Sequence, residues 1–484
     1  MFMLIFTFLF INIFLFQFIL TEVVIPFKQI FKNRKEYTYN SSSFLDDNLL
    51  FIPYTLLNIG YPSQKVYAII TQNITDITFH KNNEFSFDNE FIYSPFNSDN
   101  YEIIKETGVK NLIKDDFELY EDIDLNKKIK SKIMFNFIKD NSNSNNDYKN
   151  YLFEIGFPLN KNLDKLNTYS LINQLKSSNT INNYKISLCF NSSNSGFYLI
   201  GNYLHYFIPS NYSLSQLTST YSIPNNPLYQ FQILFDEIYI KSNNTKINFD
   251  SNKIFFNLDL GLIKGTKEYF DEIDTIFFDE YYKNKMCKKE RVYKNIYDSA
   301  FDMNRLKNYD VISCIKNKNT VNEGIFFNIK LFPSLYFYHR EMNFSFNFDY
   351  NDLFYEYNGI YYFKIISSLN DNKHWQFGKT FFEKYSTTFD IESRKIYFYN
   401  KNILINNNIS KGSNEKSSLL IILCIFLSII FIGISFYIGK KIYQQRKLRK
   451  NELDDNNYDY NGSLSEEKYK NNKLIEMNLQ KMLI

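Results

Sequence analysis

The sequence is poor in cysteine and histidine, with four of each in 484 residues. None of them stands at a spacing typical of metal ligands, so we expect no metal centre and no other cofactor. The net charge is also small, +3, and the whole excess lies from Gly439 onward, where ten Lys and Arg stand against seven Asp and Glu. The balanced body gives no basic footprint for nucleic acid, which argues against that class of partner.

Tryptophan is almost absent, whereas the other aromatic residues are abundant: one Trp stands against 50 Phe and 40 Tyr. Phe and Tyr favour β-strands. Between residues 51 and 399, short apolar or alternating runs such as 65–70, 196–200 and 395–399 are separated by clusters of Asn, Ser, Asp and Gly. This pattern predicts an all-β body. Two stretches, 169–176 and 267–276, instead predict short helices.

Two hydrophobic segments predict the topology. Residues 1–20 are almost wholly apolar and are interpreted as a signal peptide, with an uncleaved anchor as the alternative. Residues 419–438 form an uncharged run long enough to cross a bilayer. The alternative is a buried core helix, but the basic residues that follow the run directly fit that alternative poorly. The sequence therefore predicts a single-pass type I membrane protein of the secretory pathway or the cell surface, with a lumenal or extracellular body.

The few cysteines and the many asparagines predict covalent features of a secretory protein. Cys287 and Cys314 could form a disulfide in an oxidising compartment, whereas Cys189 lies in an apolar run and is expected to be a buried free thiol. Seven N-x-S/T sequons precede the predicted membrane segment and predict glycosylation at Asn40, Asn73, Asn191, Asn211, Asn243, Asn343 and Asn408.

Four segments carry a resemblance to a known family. They are residues 54–66, with Ile-Gly-Tyr-Pro-Ser-Gln; residues 153–157, Phe-Glu-Ile-Gly-Phe; residues 196–201, Gly-Phe-Tyr-Leu-Ile-Gly; and residues 375–398, with Phe-Gly-Lys-Thr-Phe-Phe and Thr-Phe-Asp. In this order and spacing they resemble the pepsin-like aspartic peptidases (family A1). The resemblance covers about residues 50–400 and implies an all-β, bilobed pepsin-like fold with a few short helices, followed here by one C-terminal transmembrane helix.

The resemblance also implies a division of the chain. We expect a signal peptide at 1–20, a short pro-segment or N-terminal extension at 21–48, an N-terminal lobe at 49–205 and a C-terminal lobe at 206–400. A stalk at 401–418, the transmembrane helix at 419–438 and a cytoplasmic tail at 439–484 complete it. The cleft between the two lobes of this family binds an extended peptide.

The chemistry of this family requires two carboxylates, one from each lobe, that share a proton. Each belongs to an Asp-Thr-Gly or Asp-Ser-Gly triplet, and neither triplet occurs in this sequence. The ungapped register places Thr71 at the first Asp and Asn257 at the second. A shift of two residues would instead place Asp259 at the second position, where Gly261 completes an Asp-x-Gly. Either register leaves at most one carboxylate of the pair.

The resemblance and the missing triplets together lead to one expectation and two alternatives. We expect a membrane-anchored homologue of these endopeptidases that does not cleave peptide bonds and that binds a peptide or protein in its interlobe cleft. One alternative is an active aspartic endopeptidase with a rearranged site that uses Asp259. The other is a surface glycoprotein that uses the fold only as a scaffold.

Overall fold

Strands dominate the computed structural model, as the alternating apolar runs predicted. The structure describes residues 22–29, 40–72, 74–81, 91, 93–107, 110–138, 151–157, 169–208, 211–212, 217–221, 231–242, 245–298, 303–316, 327–368, 374–400 and 437–446. The strands are β1 (Val23–Gln29), β2 (Pro53–Ile59), β3 (Gln64–Thr71), β4 (Ile77–Lys81), β5 (Glu102–Thr107), β6 (Lys110–Tyr120), β7 (Lys128–Ile138), β8 (Tyr151–Gly156), β9 (Lys185–Ser192), β10 (Ser195–Ile200), β11 (Leu217–Tyr221), β12 (Gln232–Leu234), β13 (Glu237–Ser242), β14 (Thr245–Phe249), β15 (Lys253–Phe256), β16 (Ile263–Lys264), β17 (Cys287–Asp298), β18 (Met303–Ile315), β19 (Ser334–His339), β20 (Phe344–Phe348), β21 (Phe354–Tyr357), β22 (Ile360–Phe363), β23 (Ile365–Ser368), β24 (Trp375–Phe377), β25 (Tyr385–Asp390) and β26 (Lys395–Asn400).

These strands form three sheets. The largest has 13 strands in the order β11-β26-β25-β9-β10-β1-β2-β3-β8-β4-β7-β6-β5. The second follows the order β12-β15-β24-β16-β23-β18-β22-β21, with β17 paired to β18, and the third is β14-β13-β19-β20. Strand β2 alternates between buried and half-buried residues, whereas every residue of β25 is buried. The alternation is typical of a strand with one face on the core.

The helices are short, and polar side chains cap several of them. They are α1 (Ser41–Asn48), α2 (Leu171–Ser177), α3 (Leu204–Phe207), α4 (Lys267–Ile273), α5 (Asp279–Lys283), α6 (Tyr350–Leu353) and α7 (Lys379–Lys384), with a π-helical turn, Asp274–Phe278, between α4 and α5. Asn40, Ser170 and Thr266 accept hydrogen bonds from the first turns of α1, α2 and α4. Both helices predicted from the sequence, at 169–176 and 267–276, are confirmed as α2 and α4.

The same four-strand motif occurs twice. In the first copy, β3 runs parallel to β8, β8 pairs antiparallel with β4, and β4 runs parallel to β7. In the second copy, β15, β24, β16 and β23 repeat this sequence of parallel, antiparallel and parallel pairs. The residues at the ends of β3 and β15 therefore occupy equivalent positions in the two motifs.

Aromatic packing fixes the end of β15. Phe256, the last residue of this strand, has five phenylalanine rings around it at centroid distances of 5.6 to 6.1 Å: Phe377, Phe381, Phe382, Phe389 and Phe398. Deleting such a buried ring leaves a cavity that costs about 3–5 kcal/mol. The backbone that leads into Asn257 is therefore held in place by the core.

The bilobed pepsin-like fold predicted from the sequence is corrected by the structure. Residues Met1–Asn407 form one compact unit, and Asn408–Ile484 form another. Strands from both sides of the predicted boundary at 205 and 206 belong to the same 13-stranded sheet, in which β25 pairs with β9. Strand β9 pairs with β10 along one edge and with β25 along the other, and β25 lies almost 200 residues later in the chain. The individual boundaries of the predicted segments stay predictions.

The predicted C-terminal transmembrane helix is not among the helices that the structure describes. In the part of the chain that the structure describes, no helix is both long and apolar enough to cross a membrane. The predicted span, 419–438, lies outside that part except for its last two residues, which belong to an exposed helical stretch at 437–446. The predicted signal peptide, the stalk and most of the tail lie outside it as well.

Candidate functional site

The ends of β3 and β15 meet, and four residues connect them. Thr71 ends β3 and Gln72 follows it, while Asn257 follows β15 and Asp259 lies two residues further on. We call Thr71, Gln72, Asn257 and Asp259 the strand-end cluster. In the two motifs, Thr71 pairs with Gly156 and Asn257 follows the pair Phe256–Phe377, so the two residues hold equivalent positions.

The carboxylate of Asp259 accepts hydrogen bonds from both residues at the end of β3. The hydroxyl of Thr71 donates to Oδ2 at 3.0 Å. The backbone N–H of Gln72 donates to Oδ1 at 3.1 Å and to Oδ2 at 3.3 Å. Asp259 is thereby directed at Thr71 rather than into solvent.

The side chain of Gln72 joins the same two segments, a role that the sequence pattern did not predict. Its Nε2 donates to Oδ1 of Asn257 at 2.7 Å, and its Oε1 accepts the backbone N–H of Leu258 at 3.0 Å. Oδ1 of Asn257 also accepts the N–H of Asp259 at 3.1 Å. An amide can donate and accept at once, which suits it to a bridge of this kind. Its position beside Thr71 was the only signal in the sequence.

Burial raises the pKa of the Asp259 carboxyl to about 7, although the hydrogen bonds from Gln72 and Thr71 act to lower it. The negative charge of Glu154 raises it further. Glu154 itself lies 3.1 Å from Nε2 of His80. Burial acts to lower the pKa of His80, but its hydrogen bond and charge interaction with Glu154 outweigh this effect, so the pKa of His80 is raised. The two carboxylates thus have different partners.

The N-terminal segment packs directly against the loop that carries Asp259. The N–H of Phe51 donates to the Asp259 carbonyl at 2.9 Å, and the N–H of Gly261 donates to the Leu49 carbonyl at 2.9 Å. A Cβ on Gly261 would lie only 1.9 Å from the carbonyl oxygen of Asn48, so no larger residue fits there. This close approach fixes the backbone on both sides of Leu260.

The segment predicted as a pro-segment or N-terminal extension, 21–48, contributes to this packing. Strand β1 lies between β10 and β2 in the largest sheet. Phe44 and Leu45 of α1 are fully buried in one cluster with Leu260 and Leu262. Both elements are therefore built into the compact unit that contains the strand-end cluster.

Of the predicted covalent features, the cysteine pairing is confirmed and the glycosylation stays a prediction. The disulfide between Cys287 and Cys314 is confirmed, and so is the buried free thiol of Cys189. A disulfide of this kind forms in an oxidising compartment, as a protein of the secretory pathway requires. Four sequon asparagines are exposed: Asn40, Asn191, Asn211 and Asn343. The others, Asn73, Asn243 and Asn408, lie outside the described residues.

Metal chemistry finds no support in the described residues. They contain no group of three or more His, Cys, Asp and Glu that could hold a metal ion. At the strand-end cluster itself, Asp259 is accompanied by a hydroxyl and two amides, which are neutral. The geometry suits a fixed polar connection between two segments. It does not supply the pair of proton-sharing carboxylates that hydrolysis by the predicted mechanism requires.

No family model and no curated protein matches the chain. Among solved structures, the chain is similar to basic 7S globulin from soybean, with 12% identity and a TM-score of 0.47 over 78% of this chain and 96% of that one. It is also similar to conglutin gamma, a basic 7S globulin from lupine seeds, with 12% identity and a TM-score of 0.46 over 78% and 95%. Both are described as globulins. The pepsin-like fold and the transmembrane helix, corrected above on the sheet topology and on the described helices, are not carried forward.

Proposed function

We propose that this chain is a non-catalytic binding protein of the secretory pathway that takes an extended segment of a partner protein along strand β5. The observation that carries the proposal is a sheet edge that carries two exposed isoleucines, Ile103 and Ile104. Strand β5 is the last strand of the 13-stranded sheet, and in the described residues its outer edge pairs with no other strand. An extended peptide can add to such an edge by main-chain hydrogen bonds.

The side chains of β5 include two exposed isoleucines among charged residues. Ile103 is 46% exposed and Ile104 is 48% exposed. The pairing with β6 shifts between Ile103 and Lys105, so that Ile104 is the extra residue of a bulge. A bulge re-aims side chains that would otherwise alternate between the two faces of the sheet. Ile103 and Ile104 are thus two neighbouring exposed apolar residues on this edge.

Aromatic residues extend this apolar surface. Phe96 and Tyr61 are exposed, and the Phe96 ring lies 5.8 Å from the ring of Tyr101, which immediately precedes β5. The carbonyl of Tyr61 accepts the N–H of Asp99, which ties it to the same loop. We call Tyr61, Phe96, Ile103 and Ile104 the β5 patch. Exposed apolar residues near one another are typical of protein-interaction sites when they form a large patch.

The absence of catalysis in this proposal rests on the strand-end cluster. Glu154 is the acidic group that acts on Asp259, and it is engaged with His80. Asp259 for its part accepts hydrogen bonds from Thr71 and Gln72. The alternative of an active endopeptidase requires Asp259 to share a proton with a second carboxylate. Cleavage of peptides by the purified chain would favour that alternative.

The side of the membrane on which the chain lies is also a proposal. We place the body on the lumenal or extracellular side, since the disulfide needs an oxidising compartment.

The binding proposal is tested with peptides selected from a random display library on the full-length chain. Their affinity is then measured by fluorescence anisotropy for Ile104→Glu and for a matched control, Leu331→Glu, which changes an exposed leucine outside the sheets. We expect at least a tenfold loss for Ile104→Glu and no change for Leu331→Glu. Equal affinities would reject the β5 patch as the binding site. Mass spectrometry of the same peptides after incubation reports any cleavage.

A further inference from the structure

A cavity of about 330 Å³ lies far along the chain from the residues discussed so far. Its lining comes from helix α4, which contributes Lys267, Phe270 and Asp271, and from strands β17, β18 and β23. The volume is at the lower end of the range typical of small-molecule sites. The sheet side of the cavity consists entirely of polar residues.

Strand register explains how these polar residues come together. Arg291 of β17 pairs with Asp310 of β18, and Asp310 pairs with Ser367 of β23. Residues directly opposite each other on neighbouring strands present their side chains on the same face of a sheet. Lys289 stands two residues before Arg291 and shares this face because side chains alternate along a strand. One row across three strands thus brings a guanidinium, a carboxylate and a hydroxyl together.

The cavity is buried at its floor and open at one wall. Phe270, Asp310 and Ser367 are buried, whereas the Arg291 side chain is 47% exposed. Lys289 lies over the Phe270 ring, 5.6 Å from its centroid. A ligand entering past Arg291 would therefore meet a hydroxyl and an aromatic ring at the bottom.

Arg291 is oriented but not saturated. Its Nε donates to Oδ1 of Asp310 at 3.0 Å, and its Nη2 donates to Oδ2 at 3.5 Å. A guanidinium has five N–H groups, and this pairing uses two of them. Among the described residues Asp310 is its acceptor, so the remaining N–H groups can bind the two oxygens of a planar anion.

The other cations of the lining are already neutralised. Lys267 pairs with Asp271 of the same helix, and Lys289 pairs with Asp274. Arg291 pairs with Asp310, so each of the three cations of the lining has one carboxylate partner. The Arg291 guanidinium keeps N–H groups that can bind an anion, and it is therefore the group that selects the ligand.

We propose that this cavity binds a small organic oxyanion, a carboxylate or a phosphate monoester, with Arg291 on its oxygens and the Ser367 hydroxyl as a further donor. Asp310 acts as a positioning residue that orients the guanidinium toward the oxygens of the ligand. The site is separate from the β5 patch, so either proposal can fail without the other.

Isothermal titration of the full-length chain with inorganic phosphate, at constant ionic strength set with chloride, tests the site. We expect saturable binding that Arg291→Gln weakens at least tenfold. Arg340→Gln is the matched control, because Arg340 is a more exposed arginine that also has an aspartate neighbour, Asp236. If Arg291→Gln does not fold, Ser367→Ala, which removes only the hydroxyl, should still weaken binding several-fold.

The same titration with acetate identifies the preferred ligand class. Binding of phosphate alone indicates a phosphate monoester, whereas binding of acetate as well indicates that carboxylates are accepted. No saturable heat with either anion would overturn the proposal. So would equal affinities for the Arg291→Gln and Arg340→Gln variants, since the site would then not depend on Arg291.

Discussion

The side-chain amide of Gln72 donates a hydrogen bond of 2.7 Å to Oδ1 of Asn257, although 185 residues separate the two in the chain. This bond joins equivalent ends of two repeated strand motifs. The Thr71 hydroxyl and the Asp259 carboxylate make a second such connection at 3.0 Å. The meeting point of the motifs is thus a network of fixed polar bonds in which each partner is already engaged.

The first prediction concerns the pH dependence of stability. The pKa of Asp259 is raised from 3.8 to about 7 in the folded protein. Between these two pH values the folded chain therefore binds more protons at this carboxyl than the unfolded chain does. The free energy of unfolding should fall as the pH rises through this interval, with a slope of at most about 1.4 kcal/mol per pH unit.

Urea denaturation of the wild type and of Asp259→Asn at several pH values checks this. Asparagine keeps an oxygen that accepts hydrogen bonds but cannot ionise, so the variant should show a shallower fall over the same interval. Burial also raises the pKa of Glu22 to about 7, which adds a contribution of the same sign to both proteins. Parallel curves for the two proteins would contradict the prediction.

The second prediction concerns two glycines at equivalent positions. A Cβ on Gly156 would lie 2.3 Å from the carbonyl oxygen of Ile74, and a Cβ on Gly378 would lie 2.2 Å from that of Leu260. Backbone atoms cannot give way as a flexible side chain can. We expect Gly156→Ala and Gly378→Ala each to lower the free energy of unfolding by at least about 2 kcal/mol.

Gly359→Ala is the control for these variants. Gly359 has a φ of +74°, but an added Cβ would meet no atom within 4 Å. Only the strain of the left-handed backbone then remains, about 1 kcal/mol. Losses of the same size in all three variants, measured by urea denaturation, would show that the close approaches do not matter.

The third prediction concerns the Cys287–Cys314 disulfide, which joins the first residue of β17 to its partner near the end of β18. The bond closes a loop over a sequence separation of 27. Changing both cysteines to serine should lower the free energy of unfolding by about 3 kcal/mol, because the unfolded chain gains freedom. Cys189→Ser provides the comparison for a buried thiol outside the disulfide. An unchanged midpoint in the double variant would contradict this prediction.

Local features of the fold could be predicted from the sequence because they depend on neighbouring residues. Apolar runs predicted strands at 65–70, 196–200 and 395–399, and the structure has β3, β10 and β26 there. The apolar face of Leu171, Ile172 and Leu175 predicted a helix, and these residues are buried in α2. The same periodicity does not indicate which strands pair. The predicted bilobed architecture was wrong because it depended on those pairings.

The sequence by itself determined which residue types stand at the strand-end cluster, including the absence of a second aspartate and the presence of Thr71, Asn257 and Asp259. Only the tertiary structure decided that Asp259 faces Thr71 and that Gln72 binds Asn257. The physical reason is distance along the chain: contacts between residues so far apart in sequence depend on how two motifs pack. Local sequence pattern does not encode that packing. It also does not encode the row of Arg291, Asp310 and Ser367, because that row forms only when three strands align in register.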